Sequence, residues 1–247
     1  MSIQPDKVQP KNKAQLKSLI EYAFKHNIYN LNFIDTSEIT DMSHLFCNCM
    51  HNFDVSSWDV SNVINMGCTF YNCNMFTGKG LENWDVSNVT NMTGMFYCCY
   101  DFNCDLSNWD VSNVKNMNNM FYCCKNFDCD LSNWDVSNVT DMYSMFTACE
   151  NFKGKGIENW DVSKVEDMRY MFYNCKNFNC DLSNWDMSKA LRINEMFYGC
   201  KNFEGKGLEN WKLEKTLFYY DIFTGCDKVK FPSWYKAFLK RCNLEFF

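Results

Sequence analysis

The sequence predicts an α/β repeat protein: a right-handed solenoid of stacked turns, with a parallel sheet of short strands on one face, helical or 3-10 turns on the other, and a helical cap at each end. Three observations predict it. A tryptophan recurs every 25 or 26 residues, a Phe and a Cys follow each tryptophan in fixed register, and the two ends of the chain carry segments of helical period.

The tryptophans set the period. Trp58, Trp84, Trp109, Trp134, Trp160, Trp185 and Trp211 are separated by 26, 25, 25, 26, 25 and 26 residues. An apolar residue stands three before each: Val55, Leu81, Leu106, Leu131, Ile157, Leu182 and Leu208. Twelve after comes Phe70, Phe96, Phe121, Phe146, Phe172, Phe197 or Phe223, and fifteen after comes Cys73, Cys99, Cys124, Cys149, Cys175, Cys200 or Cys226. The extra residue of a longer unit falls between a second Phe and the next Leu or Ile, where Phe-Asn-Cys-Asp-Leu alternates with Phe-Thr-Gly-Lys-Gly-Leu. Insertion confined to one loop means that every turn sends the same side chains to the same depth, as a stack of equivalent coils requires.

Within a turn, Trp-Asp-Val alternates inward and outward, which suits a short strand, and stacked turns make such strands a parallel sheet. In the Met-x-x-Met-Phe-x-x-Cys segment the apolar residues lie three and four apart, as in Met92, Met95, Phe96 and Cys99, which suits one or two helical turns. Asp, Ser and Asn of Asp-Val-Ser-Asn are natural caps for that segment. A strand and a helical piece in each turn of this length is leucine-rich-repeat geometry.

The unit Val-Thr-x-Met-x-x-Met-Phe-x-x-Cys-x-x-Phe-x-x-Asp-Leu-Ser-x-Trp-Asp-Val-Ser resembles the 25-residue repeat of the BspA-like leucine-rich-repeat surface proteins, including the type named for mycoplasma lipoproteins. Phe33-Ile-Asp-Thr-Ser-Glu-Ile-Thr-Asp-Met-Ser-His-Leu-Phe46 looks like the start of such an array, and the likeness covers residues 31 to 231. It implies a scaffold associated with surface adhesion or recognition.

A stack exposes its apolar interior at both termini, so the ends must differ from the middle. Residues 1–40 are read as an N-terminal helical cap and lead-in, with Leu16, Leu19, Ile20 and Phe24 on one face of a helix. Residues 41–231 are the array of seven to eight turns, and 232–247 a C-terminal helical cap with Pro232 near its first turn. The columns degenerate just before it, at Lys212 and Tyr219.

Composition narrows the partners. With 24 basic against 30 acidic residues, a net charge of −6 and a pI near 5.1, no electrostatic ground favours nucleic acid or an anionic membrane. The polar N-terminus, with no signal-peptide core and no apolar run long enough to cross a bilayer, reads as soluble and cytosolic with reduced thiols.

Four columns are candidate sites. Asp59, Asp85, Asp110, Asp135, Asp161 and Asp186 either cap their own turns or form a negative stripe for a basic partner or calcium. Tyr71, Tyr97, Tyr122, Tyr173 and Tyr198 follow the invariant Phe, point away from the core and either cover the convex face or form an interface. Cys98 with Cys123, and Cys104 with Cys129, fall at matching places in adjacent turns, where strand-like stacking brings a pair to about 5 Å, within disulfide range. His44, Cys47, Cys49 and His51 are zinc-ligand types within eight residues, yet Cys49 occupies the core column and four ligands so close in sequence rarely converge, so no metal is expected. The Trp and main Cys columns are read as core, and the Gly-Lys-Gly segments as turns without the spacing of a phosphate loop.

All three histidines, His26, His44 and His51, lie near the N-terminus, so no distributed nucleophile–base arrangement can be built elsewhere. The sequence therefore predicts no enzyme and no cofactor, but a scaffold for a protein partner. A self-assembling structural protein is the alternative, with a metal or redox protein behind it.

Overall fold

The computed structural model describes residues 7–217 and 220–241. Tyr219, the extreme N-terminus of the first cap and the end of the C-terminal cap from 242 onward lie outside them. Helix α1 (Lys13–Lys25) opens the described fold, helix α2 (Ser233–Arg241) closes it, and between them stand three short 3-10 helices, Leu81–Asn83, Ile157–Asn159 and Leu208–Asn210.

Among the described residues there is no strand and no sheet; isolated parallel bridges join Asn65 to Asn91, Asn91 to Asn116, Asn116 to Asp141, Asp141 to Asp167 and Asp167 to Arg192. The expected leucine-rich-repeat-like α/β solenoid with a parallel sheet is thereby overturned. Each repeat is instead a coil of consecutive β-turns, and the hydrogen bonds show why. In one coil, Trp84 donates its N–H to the Leu81 carbonyl, Val89 to Val86, Met95 to Met92, Tyr97 to Gly94, Cys99 to Phe96 and Phe102 to Cys99, each spanning three residues. The intervening N–H groups of Met92, Gly94, Phe96 and Cys98 donate to Asn116, Asn118, Met120 and Tyr122 of the next coil at 2.7–3.1 Å. Donors thus alternate between closing the coil on itself and tying it to its neighbour.

That alternation requires left-handed residues. Gly94 and Cys98 have φ of 55° and 57°, and Asn119 and Cys123 repeat the pair at 56° and 59°. A left-handed residue every fourth position stops both an α-helix, which needs unbroken right-handed φ, and a strand, which needs consecutive extended residues. The Met-x-x-Met-Phe-x-x-Cys segments expected to be helical are therefore turns, and the 3-10 helices follow the Gly-Lys-Gly loops.

The core is a set of ladders along the stack. The Phe rings at twelve after Trp lie nearly parallel, Phe70 on Phe96 at 5.4 Å and Phe96 on Phe121 at 5.6 Å. Tryptophans are buried and stack in turn, Trp58 on Trp84 at 6.4 Å and Trp134 on Trp160 at 6.3 Å. Each indole also closes a polar account: Trp109 Nε1 donates to the Leu81 carbonyl at 2.8 Å and Trp185 Nε1 to Ile157 at 2.8 Å, one coil back. Trp234, on α2, continues the column by stacking on Trp211 at 6.4 Å and donating to the Leu208 carbonyl at 2.9 Å.

Helix α1 begins with a reciprocal cap: Asn12 Oδ1 accepts from Gln15 N, and Gln15 Oε1 accepts from Lys11 N. Its buried face is Leu16, Ile20 and Ala23, with Leu19 and Phe24 partly covered against the same core. No described helix is long and apolar enough to cross a membrane.

Candidate functional surface

The outward residues of each coil are fixed by the same turns that build it. The six carboxylates of the Asp column are exposed, and each uses Oδ1 to accept the backbone N–H two residues on, as from Ser87 to Asp85, Ser112 to Asp110 and Ser163 to Asp161 at 3.0–3.1 Å. The side-chain and backbone groups of the following serine hold the Asp110, Asp161 and Asp186 carboxyls below their ordinary range. Beside them runs an asparagine ladder: Asn88 Nδ2 donates to the Ser61 carbonyl, Asn113 to Ser87 and Asn138 to Ser112, at 2.8–2.9 Å. Asp-Val-Ser-Asn therefore caps its own turn with Asp and fastens the previous coil with Asn.

A second Asx column went unread in the sequence. Asp41, Asn65, Asn91, Asn116, Asp141 and Asp167 occupy the bridge positions, and each accepts the N–H two residues on. The signal was an Asn or Asp just before a Met in six successive units, replaced by Arg192-Ile193 in the next. At Asp167 the pattern changes: Arg169 forks both oxygens, Arg192 approaches at 3.5 Å, and the Arg169 guanidinium lies 5.1 Å over the Tyr143 ring.

The tyrosine column forms two half-buried stacks. Tyr71, Tyr97 and Tyr122 lie face to face at 4.6 and 4.4 Å, and Tyr173 stacks on Tyr198 at 4.7 Å. Thr147 stands where the missing ring would be and is buried, its hydroxyl donating to the Tyr170 carbonyl at 2.6 Å. Tyr170 spans the gap, edge-on to Tyr173 at 5.9 Å and to Tyr143 at 5.7 Å. Two aromatic groups thus line this side of the coils, and sequence reading found their stacks but not Tyr143 and Tyr170.

The invariant cysteines are donors as well as filler. Cys73, Cys99, Cys124, Cys149, Cys175 and Cys200 send Sγ to the carbonyl of the Phe one coil back, at 2.9–3.0 Å. Burial pushes their thiols up, far from reactivity. Cys104 and Cys129 are likewise buried, with pKa pushed up to about 12 and about 11. Cys98 and Cys123 are only half-buried, and every described cysteine is a free thiol.

His44, Cys47, Cys49 and His51 do not converge. His44 is exposed, the His51 ring lies 4.8 Å from Tyr29 and 5.5 Å from Phe24, and Cys49 Sγ faces the His51 carbonyl at 3.9 Å. Among the described residues no group of three or more His, Cys, Asp or Glu is placed to hold a metal ion.

The Gly-Lys-Gly segments are contact points between coils. Lys79, Lys155 and Lys206 pair with Asp54, Asp130 and Asp181 of the coil before at 2.6–3.2 Å. The second glycine of each, at φ of 89–95°, lies where a Cβ would meet Ser56, Ser132 or Ser183 backbone within 2.5 Å.

Fold and surface together define a repeat protein built of stacked β-turn coils. The chain belongs to the family described as "Mycoplasma protein of unknown function, DUF285", which matches it twice, over residues 14–133 and 123–234. Neither the curated proteins nor the solved structures contained a match.

Proposed function

We propose that the chain is a non-catalytic scaffold that holds a protein partner along its tyrosine stacks. The observation that carries this reading is the pair of half-exposed tyrosine stacks, Tyr71–Tyr97–Tyr122 and Tyr173–Tyr198, the second extended by Tyr170 and Tyr143. Rings locked by stacking lose little side-chain entropy on binding, and tyrosine joins a large apolar face to a hydroxyl that can pair across an interface. The Asp column offers less, because one oxygen of each carboxylate is already engaged by its own turn. The resemblance to BspA-like surface proteins supports a role in adhesion or recognition.

The test is capture from the native host with three baits: the unaltered chain, Tyr71/Tyr97/Tyr122→Ser, and Asp85/Asp110/Asp135→Asn. The reading expects a protein retained by the first and third baits and lost with the second. Equal retention on the tyrosine variant, with its thermal transition intact, would sink it.

End-to-end self-association is the second reading, favoured by the exposed Leu217 and Tyr220 on the last coil. Light scattering over a concentration series separates the two, since a monomer throughout removes self-assembly.

A further inference from the structure

One outward column carries a chemistry that neither the fold nor the binding surface uses. It runs through Asn48, Asn72, Cys98, Cys123, Gly199 and Gly225, each in the left-handed region. That conformation turns the side chains of this column toward one another along the stack. Asn72 Nδ2 donates to Asn48 Oδ1 at 2.8 Å in adjacent coils, and a Cβ placed on Gly225 would lie 3.4 Å from the Gly199 Cα. Cys98 and Cys123 repeat this geometry in adjacent coils, where the Cys98 N–H donates to the Tyr122 carbonyl at 2.7 Å and the preceding residues, Tyr97 and Tyr122, stack at 4.4 Å.

We propose that Cys98 and Cys123 form a reversible dithiol site oxidised by hydroperoxides, with Cys98 as the attacking sulfur and Cys123 as the resolving one. Equivalent side chains of this column meet across adjacent coils, as Asn72 and Asn48 do, so a Cys98–Cys123 disulfide needs no unwinding of the stack. The roles follow from surroundings. The neighbouring Cys123 thiol and Tyr100 hydroxyl, with the positive charge of Lys125, favour the Cys98 thiolate and bring its pKa down to about 7, while the Cys98 sulfur beside it and burial raise that of Cys123. Both are half-exposed, whereas the cysteines fifteen after each Trp are turned inward onto Phe carbonyls.

The chemistry balances. Cys98 thiolate attacks a peroxide oxygen, the O–O bond breaks, and with one proton a water leaves, giving Cys98 sulfenic acid. Cys123 sulfur then attacks Cys98 sulfur, the S–S bond forms, the S–O bond breaks, and a second water leaves. Two thiols lose two electrons, and hydrogen peroxide is reduced to two waters. A thiol reductant restores the site.

The reading does not depend on the tyrosine stacks binding anything. Its test uses the reduced full chain, exposed natively to hydrogen peroxide, alkylated in denaturant and digested with trypsin. Lys79, Lys115 and Lys125 place Cys98 and Cys123 in separate peptides, 80–115 and 116–125. The expected result is a link between those peptides, absent from Cys98→Ser and from Cys123→Ser, with a dimedone adduct on Cys98 in the latter. Native alkylation of Cys98 is expected about tenfold or more faster than that of Cys124. Peptides that stay unlinked, a link that survives Cys98→Ser, or equal alkylation of Cys98 and Cys124 would each overturn the proposal.

Discussion

Cys124 Sγ donates to the Phe96 carbonyl at 3.0 Å, across the boundary between two coils and with neither residue exposed. The same carbonyl accepts the Cys99 N–H at 3.0 Å, so one oxygen closes its own coil and receives a thiol from the next. If the thiol contributed only apolar volume, a small apolar residue would replace it best. As a donor it is replaced better by serine, whose hydroxyl keeps the bond. Cys124→Ser is expected to lower stability by less than about 1 kcal/mol and Cys124→Ala by about 2 kcal/mol, read from urea midpoints. The reverse order would show that the thiol acts as volume alone.

The tryptophan ladder combines the same two contributions in separable form. Trp109 is 2% exposed, and its Nε1 donates to the Leu81 carbonyl at 2.8 Å. Trp109→Phe keeps an aromatic ring in place of the indole and removes the donor, for an expected loss of about 2 kcal/mol. Trp109→Ala empties the site and is expected to cost about 3–5 kcal/mol. Thermal denaturation followed by circular dichroism measures both, and equal losses would mean that the ring contributes nothing beyond the hydrogen bond.

How much of this was legible in the sequence follows from which groups carry it. Period, core columns and both terminal helices were readable, because apolar side chains at fixed spacing report burial directly. Coil geometry was also written there, though differently from the strand and helix expected. From Trp84 the apolar residues Leu81, Val86, Val89, Met92, Met95, Phe96, Cys99 and Phe102 advance mostly in steps of three, the step of a β-turn, and only the short Trp-Asp-Val stretch imitates a strand. Left-handed residues such as Cys98, Asn119 and Ser144 hide the rest, since their residue types do not demand positive φ as glycine does. Hydrogen bonds from thiol to carbonyl, and from Asn88 to Ser61, join residues a full coil apart, so no local pattern announces them.

Acid should weaken the stack through its aspartates. The Lys155 ammonium and the Ser132 hydroxyl and N–H hold the Asp130 pKa at about 2, below its ordinary 3.8. A carboxyl depressed in the folded state contributes stability that is complete above the ordinary value and lost as pH falls through the folded one. Asp181 repeats the arrangement with Lys206 and Ser183, also at about 2. The urea midpoint is therefore expected to fall between about pH 4 and pH 2, and Asp130→Asn/Asp181→Asn to flatten part of that slope. Added salt should remove only the lysine share, because Lys155 and Lys206 lie largely in solvent. A slope unchanged in the double variant would assign the acid sensitivity to other groups.

Glycine pairs test the close approach of coils. Gly156 has φ of 91°, and a Cβ there would lie 2.1 Å from the Ser132 N, backbone that cannot move aside without disturbing the coil below. Gly67 lies outside the left-handed region, and its Cβ would meet only side-chain atoms at closest approach, Asn91 Nδ2 at 3.1 Å and Asn65 Oδ1 at 3.3 Å, so a shift of a few tenths of an ångström relieves the contact. Gly156→Ala is expected to cost more than about 2 kcal/mol, from left-handed strain and the backbone clash together. Gly67→Ala is expected to stay within about 1 kcal/mol, since lower unfolded-state entropy offsets the tight contact. Urea unfolding of both variants decides the matter: similar losses would mean that the Gly-Lys-Gly loops yield under strain and that the spacing between coils is set elsewhere.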